Sequence, residues 1–384
     1  MNSKKIFPIA IPNISELERK YLNECIDTEF VSSVGPFVDK FEKYLEIKSG
    51  FNFASAVSSG TSALSLAIHS LGVKNNDLVI IPDYTFIATA NAVAQNQAIP
   101  WLIDINTNNL NINFDIVIDE ILSNCSFRKG KWHHKETKQE LKCVIPVMAL
   151  GNFIASKQIE TFNEKIGLPI IIDAAGALGS YQNDIALGNL DVHAVTISFN
   201  GNKTFTCGGG GAVLTNDELF HKKIKHLSTT ARSGYEYIHD EPAFNYRMTN
   251  IQAAIGCAQL EKYDEFLKTK QYIYDYYKKH IVSKKICFSS CNNSSRWLSY
   301  FLAEKLSEIE ISGLYKYANQ EGILLRPFWV PMHMQPPYKD SISSEVNNSK
   351  EIYSKVITLP SSTSLLQEDL KYISKTINNY LKKI

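Results

Sequence analysis

The sequence predicts an α/β protein: a large domain on a mostly parallel sheet, then a smaller α+β C-terminal domain. Three observations carry this. Short apolar runs alternate with helical patterns through the first two-thirds of the chain, the mark of βαβ units. Several runs are continuous in Val and Ile, as in Leu78-Val79-Ile80-Ile81 and Ile170-Ile171-Ile172, which suits strands covered by helices on both faces. The pattern changes near Thr249, so the large domain is placed at residues 1–250 and the linking helix and small domain at 251–384. Roughly the first 30 residues are free to pack on the small domain.

In chain order, strands are expected at Ala54 to Val57, Leu78 to Ile81, Ile99 to Ile103, Cys143 to Val147, Pro169 to Ile172, Ala194 to Ser198 and Gly211 to Leu214. Helices such as Ser62 to Leu71 and Thr85 to Gln95 lie between them. The stretch Cys125 to Lys142 is polar and basic and reads as an exposed excursion or hairpin, with His133 and His134 solvated. Thr249-Asn250-Ile251-Gln252 fits a capping box that opens a long helix through about Tyr277. Strand-like runs follow at Ile286 to Ser289, Leu298 to Ala303 and Ile323 to Arg326, with helices at Ile309 to Gln320 and Gln367 to Lys382. In the last helix Leu370, Ile373, Ile377 and Leu381 make one apolar stripe.

Composition narrows the function. Over 384 residues, 44% are hydrophobic and 21% charged, ordinary for a globular protein. A formal net charge of +1 gives no global field toward nucleic acid or anionic lipid, so an anionic ligand needs a local site. No stretch of about 18 apolar residues occurs, and Pro8 and Pro12 interrupt the N-terminus where a signal peptide would need an apolar core. No membrane, no nucleic acid and a cytoplasmic location are expected. The seven cysteines are scattered without zinc-site spacing, so neither a metal nor a disulfide framework is expected.

Three segments place polar residues at the end of an apolar strand, where open α/β sheets bind ligands. Ser58-Ser59-Gly60-Thr61-Ser62 combines a helix start with hydroxyls and suits a phosphate, although ordinary N-caps look the same. Asp173 ends the run Pro169 to Ile172, where a carboxylate is costly unless paired. Lys203 lies between the strand ending at Ser198 and the glycines Gly208 to Gly211, where desolvation favours Schiff-base chemistry. A fourth segment, Phe244 to Asn250, reads by itself as a polar linker with an N-cap. An anion site, a strand-end carboxylate and then a lysine is the order expected of a pyridoxal-phosphate enzyme.

These segments resemble the DegT/DnrJ/EryC1/StrS sugar aminotransferase family. The resemblance runs through Val31-Ser32-Ser33-Val34-Gly35, SSGTSAL, Pro82-Asp83-Tyr84-Thr85-Phe86-Ile87-Ala88-Thr89-Ala90, IIIDAAGALGS, SFNGNK with its glycines, NYRM, and Arg326-Pro327-Phe328-Trp329-Val330-Pro331-Met332-His333. The basic excursion, SFNGNKT, RPFWVPMH and Leu359-Pro360-Ser361-Ser362 are most similar to a LegC-like branch.

The resemblance implies a PLP-dependent transferase type I (aspartate aminotransferase-like) fold, with pyridoxal 5'-phosphate as cofactor and pyridoxamine 5'-phosphate as its alternate form. It implies Lys203 as Schiff-base lysine and proton carrier, and Asp173 as partner of the pyridine nitrogen. Phe86 would stack on the ring, and Gly60, Thr61, Ser62 and Ser198 would bind the phosphate. Asn245 would reach the phosphate of a neighbouring subunit's cofactor, giving a homodimer with shared active sites. Arg326, Trp329 and His333 would lie near the substrate. The implied substrate is a nucleotide-linked 4-keto-6-deoxy sugar of the UDP-4-keto-6-deoxy-N-acetylglucosamine type, with L-glutamate as donor and 2-oxoglutarate as product. Alternatives are a GDP- or dTDP-linked 3- or 4-keto sugar, a sugar dehydratase on the same scaffold, or a non-catalytic protein. Dehydratase relatives carry His where this chain has Lys203. The chain departs from the family pattern at Met148 and Gly176, and its Gly208-Gly209-Gly210-Gly211 replaces a usual Gly-Glu-Gly-Gly.

Overall fold

A computed structural model describes residues 4–182, 185–289, 291 and 294–384. Its central layer is a sheet whose strands run, edge to edge, Phe53–Val57, Gly211–Thr215, Ala194–Ser198, Ile171–Asp173, Glu140–Val144, Leu78–Pro82 and Ile99–Ile103. The bridges Val144–Ile170 and Val147–Asp173 join its two halves. Of these strands, Gly211–Thr215 alone runs antiparallel to its neighbours. The others therefore end on one shared edge, at Val57, Pro82, Asp173 and Ser198.

Both faces are covered, as the unbroken apolar runs require. Phe41, Leu45, Phe114, Phe162 and Ala253 pack on one face from the helices Pro36–Ser49, Phe114–Asn124, Ser156–Lys165 and Asn250–Glu261. Leu64, Ile68, Val93 and Ile224 pack on the other from Gly60–Ser70, Ile87–Gln95 and Glu218–Ser228.

The basic excursion is structured. Cys125–Arg128 and Lys131–His134 form an antiparallel hairpin whose second strand pairs with Glu140–Val144, extending the sheet. Its two-residue turn has positive φ at Lys129 and Gly130, the twist that hairpins favour. His134 is not solvated: it is buried, its ring packs edge-on against Trp101, and its Nδ1 accepts from the Thr137 amide at 3.2 Å. The pairing buries Cys125 and Leu141, which outweighs the polar composition of the segment. The strand expected over Cys143 to Val147 leaves the ladder at Val144, and Val147 returns only as a bridge to Asp173.

The capping box at Thr249 forms as read, with Gln252 N–H donating to Thr249 Oγ1 at 3.3 Å and Thr249 N–H to Gln252 Oε1 at 3.2 Å. The helix it opens ends at Glu261, and a second runs from Tyr263 to His280. Asp264 and Glu265 supply the negative charge that a new helix start favours. Beyond it, Cys287–Phe288, Tyr300–Leu302, Val356–Thr358 and Arg326–Pro327 build an antiparallel sheet in that order. Val356–Thr358 was not anticipated; three residues are too few to show a period. The helices Glu308–Gln320 and Gln367–Leu381 share this sheet's core, and Leu370, Ile373, Ile377 and Leu381 all point into it. Phe7 joins the same core and bridges Ile323, while Lys5 pairs with Asp369 at 2.6 Å. Among the described residues no helix is long and apolar enough to cross a membrane.

Candidate active site

The shared strand edge opens into a cavity of about 630 Å³. Its wall holds the helix start at Ser58 to Thr61, Phe86, Asp173, Ser198 and Lys203 from the large sheet. Arg326 and Trp329 close it from the C-terminal sheet.

The anion cradle follows from local chemistry. Ser59 caps the helix Gly60–Ser70, its hydroxyl accepting from the Ser62 amide at 3.0 Å. The amides of Gly60 and Thr61, at the first turn, have no helix carbonyl behind them, and both residues line the cavity. Glycine is needed at position 60, because a Cβ there would sit 2.8 Å from Ser198 Cβ. Ser62 behaves differently: its hydroxyl is engaged by Ser58 at 3.2 Å and Ser59 at 2.8 Å, and it is absent from the cavity wall.

Asp173 is 5% exposed. Its Oδ2 accepts from Thr89 Oγ1 at 2.8 Å and its Oδ1 from the Ala175 amide at 3.1 Å. Burial pushes its pKa up, opposed by these donors and by the charge of Lys203. A carboxylate so placed gains from a cation brought into the cavity. Thr89 lies one turn inside the helix Ile87–Gln95, whose N-cap is Phe86. That helix starts two residues later than expected, and the late start leaves Phe86 55% exposed over the cavity.

Lys203 rides a loop between Ala194–Ser198 and Gly211–Thr215. The loop is pinned at its base by Phe199 N–H to Gly210 O (2.9 Å) and Cys207 N–H to Phe199 O (3.0 Å). Gly210 has φ +105, a conformation that favours glycine. Although the residue is half-buried as a whole, its Nζ lies inside the cavity, 3.6 Å from the centre of the Trp297 ring. Burial lowers its pKa to about 8, against the opposing charge of Asp173.

Three expected residues stand apart. Asn245 is exposed outside the cavity wall, its Oδ1 accepting from Arg247 at 3.1 and 3.2 Å. His333 does not line the cavity; it closes on buried Asp83, with Nδ1 2.7 Å from Oδ2 and its amide 2.8 Å from Oδ1. Burial raises the Asp83 pKa and the His333 contacts oppose it. Ser62, as noted, is turned to the cap.

Sequence reasoning missed Thr89 as a partner of Asp173 and missed Trp297 altogether. Thr89 lay inside the motif containing Phe86, at the spacing of one helical turn. Trp297 gave no signal, because its place depends on the C-terminal segment folding back over the sheet edge.

An anion-ready helix start, a buried carboxylate held by Thr89 and the Ala175 amide, and a sheltered lysine whose pKa is lowered to about 8 fit pyridoxal phosphate group by group. With the strand order and the small C-terminal sheet, they define a pyridoxal-phosphate-dependent enzyme of the aspartate aminotransferase fold. The chain belongs to the DegT/DnrJ/EryC1/StrS aminotransferase family, whose profile matches residues 12–378. It is 32% identical to a GDP-perosamine synthase of Vibrio cholerae over 99% of this chain and 100% of that protein. It is 31% identical to the putative pyridoxal phosphate-dependent aminotransferase EpsN of Bacillus subtilis, over 95% and 93% of the two chains. A DegT/DnrJ/EryC1/StrS aminotransferase structure from Brucella abortus superposes with a TM-score of 0.86 at 25% identity, covering 95% of each chain.

Proposed function

We propose that this chain, as a cytoplasmic homodimer, aminates a nucleotide-linked 4-keto-6-deoxy sugar with L-glutamate as donor and releases 2-oxoglutarate. The observation that carries the reading is the lysine sheltered in one cavity with a buried carboxylate. Pyridoxal phosphate, when bound, condenses with amines and draws electrons from the adjacent carbon. The Gly60 and Thr61 amides and the Ser198 hydroxyl would hold its phosphate. Asp173, held by Thr89 and the Ala175 amide, would face the ring nitrogen, whose positive charge would favour the carboxylate against the burial that raises its pKa. Phe86 covers one ring face. Lys203 Nζ, with a pKa of about 8, would take a proton from one carbon and return it to another within each half-reaction.

Arg326, exposed at the mouth, offers a planar fork for a carboxylate or a diphosphate. Trp329, packed 3.9 Å from Phe328 between ring centres, offers a flat wall for a sugar or base. The outward position of Asn245 supports its reaching a second copy's site, and light scattering should give a dimer.

The name of the Vibrio cholerae relative favours a GDP-linked sugar. The resemblance to the LegC-like branch favours the UDP-linked N-acetyl form. A screen of GDP-, UDP- and dTDP-linked 4-keto-6-deoxy sugars with glutamate, scored for amino sugar and 2-oxoglutarate, separates these. Loss of oxygen from the sugar without amine transfer would reject the aminotransferase reading.

A further inference from the structure

The cavity wall contains a residue, Trp297, for which the mechanism above has no task. Trp297 is buried, and its indole lies between two loops of the large sheet. Its Nε1–H donates to the Asn202 carbonyl at 2.7 Å, beside Lys203. Its ring occupies the space above Gly176, where a Cβ would lie 2.7 Å from both Cδ2 and Cε3. Its carbonyl accepts from Lys270 Nζ at 2.8 Å, which fixes the backbone from behind. Lys203 Nζ rests on the ring face, 3.6 Å from its centre.

We infer that Trp297 is a positioning residue for Lys203: filling the notch that Gly176 leaves, its ring seats the free amine and shields it from water. The inference rests on the assignment of Lys203 proposed above. A side chain at position 176 and an indole at 297 exclude each other. The charged side chains in the cavity wall are Asp173, Arg326 and Lys203 itself, and Lys270 stands behind the indole. A ring face favours ammonium over amine, whereas a dry wall favours amine. Burial is the larger influence on Lys203, so removing the wall exposes the amine and the second effect wins.

The test follows imine formation rather than turnover. In the full chain freed of cofactor, added pyridoxal phosphate is attacked by the neutral amine of Lys203 at its aldehyde carbon, and water leaves. The rate of absorbance change, plotted against pH, rises to a midpoint at the pKa of the amine, expected near 8. Lys203→Ala supplies the control, and a signal surviving in that variant refutes the assignment of Lys203 rather than the role of Trp297. Trp297→Ala should move the midpoint upward by roughly one pH unit or more. Trp297→Phe, which keeps a ring and loses the Asn202 bond, should restore it. Gly176→Ala, which disturbs no strand and pushes the indole aside, should shift it in the same direction as Trp297→Ala. A midpoint unchanged in both Trp297→Ala and Gly176→Ala overturns the inference. If Trp297→Ala does not fold, Gly176→Ala alone decides, by the same criterion.

Discussion

Two lysines are taken out of water in this molecule, and they have opposite surroundings. Lys270 is 2% exposed, and its Nζ donates to the carbonyls of Trp297 (2.8 Å) and Ser361 (2.6 Å). Lys203 has the Trp297 ring under its Nζ and a cavity of about 630 Å³ in front of it. Burial lowers both, to about 7 for Lys270 and about 8 for Lys203. A depressed pKa therefore does not by itself mark a reactive lysine. Lys270 spends its hydrogen bonds on the scaffold and has no space for a reactant, while Lys203 has its amine free beside Asp173. Access to a reactant separates the catalytic candidate from the structural one.

The comparison breaks if exchanging the two lysines for neutral residues gives similar results. Lys203→Ala should lower turnover on the order of 10⁴-fold or more, since it removes both nucleophile and proton carrier. Steady-state kinetics with a saturating amino donor measures this, and the melting temperature should barely move. Asp173→Asn should come next, with turnover down roughly 10²- to 10³-fold because a fixed charge facing the cofactor is lost. Cofactor dissociation, followed by absorbance, should also quicken. Retention of wild-type turnover by either variant would remove the basis for treating this cavity as the active site.

Lys270 should show itself in stability instead. Its folded pKa of about 7 lies below the ordinary lysine value, so between those two pH values the unfolded chain binds more protons than the folded one. Stability then rises with pH across that window, by at most about 1.4 kcal/mol per pH unit from this one group, and the gain is lost as pH falls toward 7. Lys270→Met should flatten that part of the profile in denaturant titrations of the cofactor-loaded enzyme, where Lys203 is engaged. A slope equal to wild type would mean that the amine is not held out of water. The smallest effect is expected for Thr89→Val, which removes one donor from the Asp173 carboxylate. Losing a hydrogen bond to a charged group should cost about 1.5–3 kcal/mol, read as roughly a tenfold or greater fall in turnover and a weaker hold on the cofactor.

The large sheet was legible because its signals are local. Unbroken Val and Ile runs mark buried strands whatever packs on them, and Ser59 and Thr249 cap their helices through bonds spanning three residues. Asp173 and Lys203 could be nominated for the same reason, since Asp173 ends an apolar strand and Lys203 lies on the loop after one. The C-terminal sheet was less legible: its strands are two or three residues long, and Val356–Thr358 left no period to read. His134 was misjudged because a polar neighbourhood hides a cross-strand partner that buries it against Trp101. The pairing of His333 with Asp83 could not be read because Asp83 comes from a distant part of the chain.

By itself, the sequence determined which groups could carry the chemistry: an anion-binding helix start, Asp173 at a strand end and Lys203 on a glycine-flanked loop. Those features depend on hydrogen bonds and apolar runs within a few residues. Only the tertiary structure decided how that chemistry is enclosed. It closed His333 on Asp83, joined Thr89 to Asp173 and laid Trp297 in the notch of Gly176 beneath Lys203. These contacts join segments far apart in the chain, so the Thr89 bond waits on the packing of the large sheet, and the His333 and Trp297 contacts wait on the C-terminal segment folding against the sheet edge.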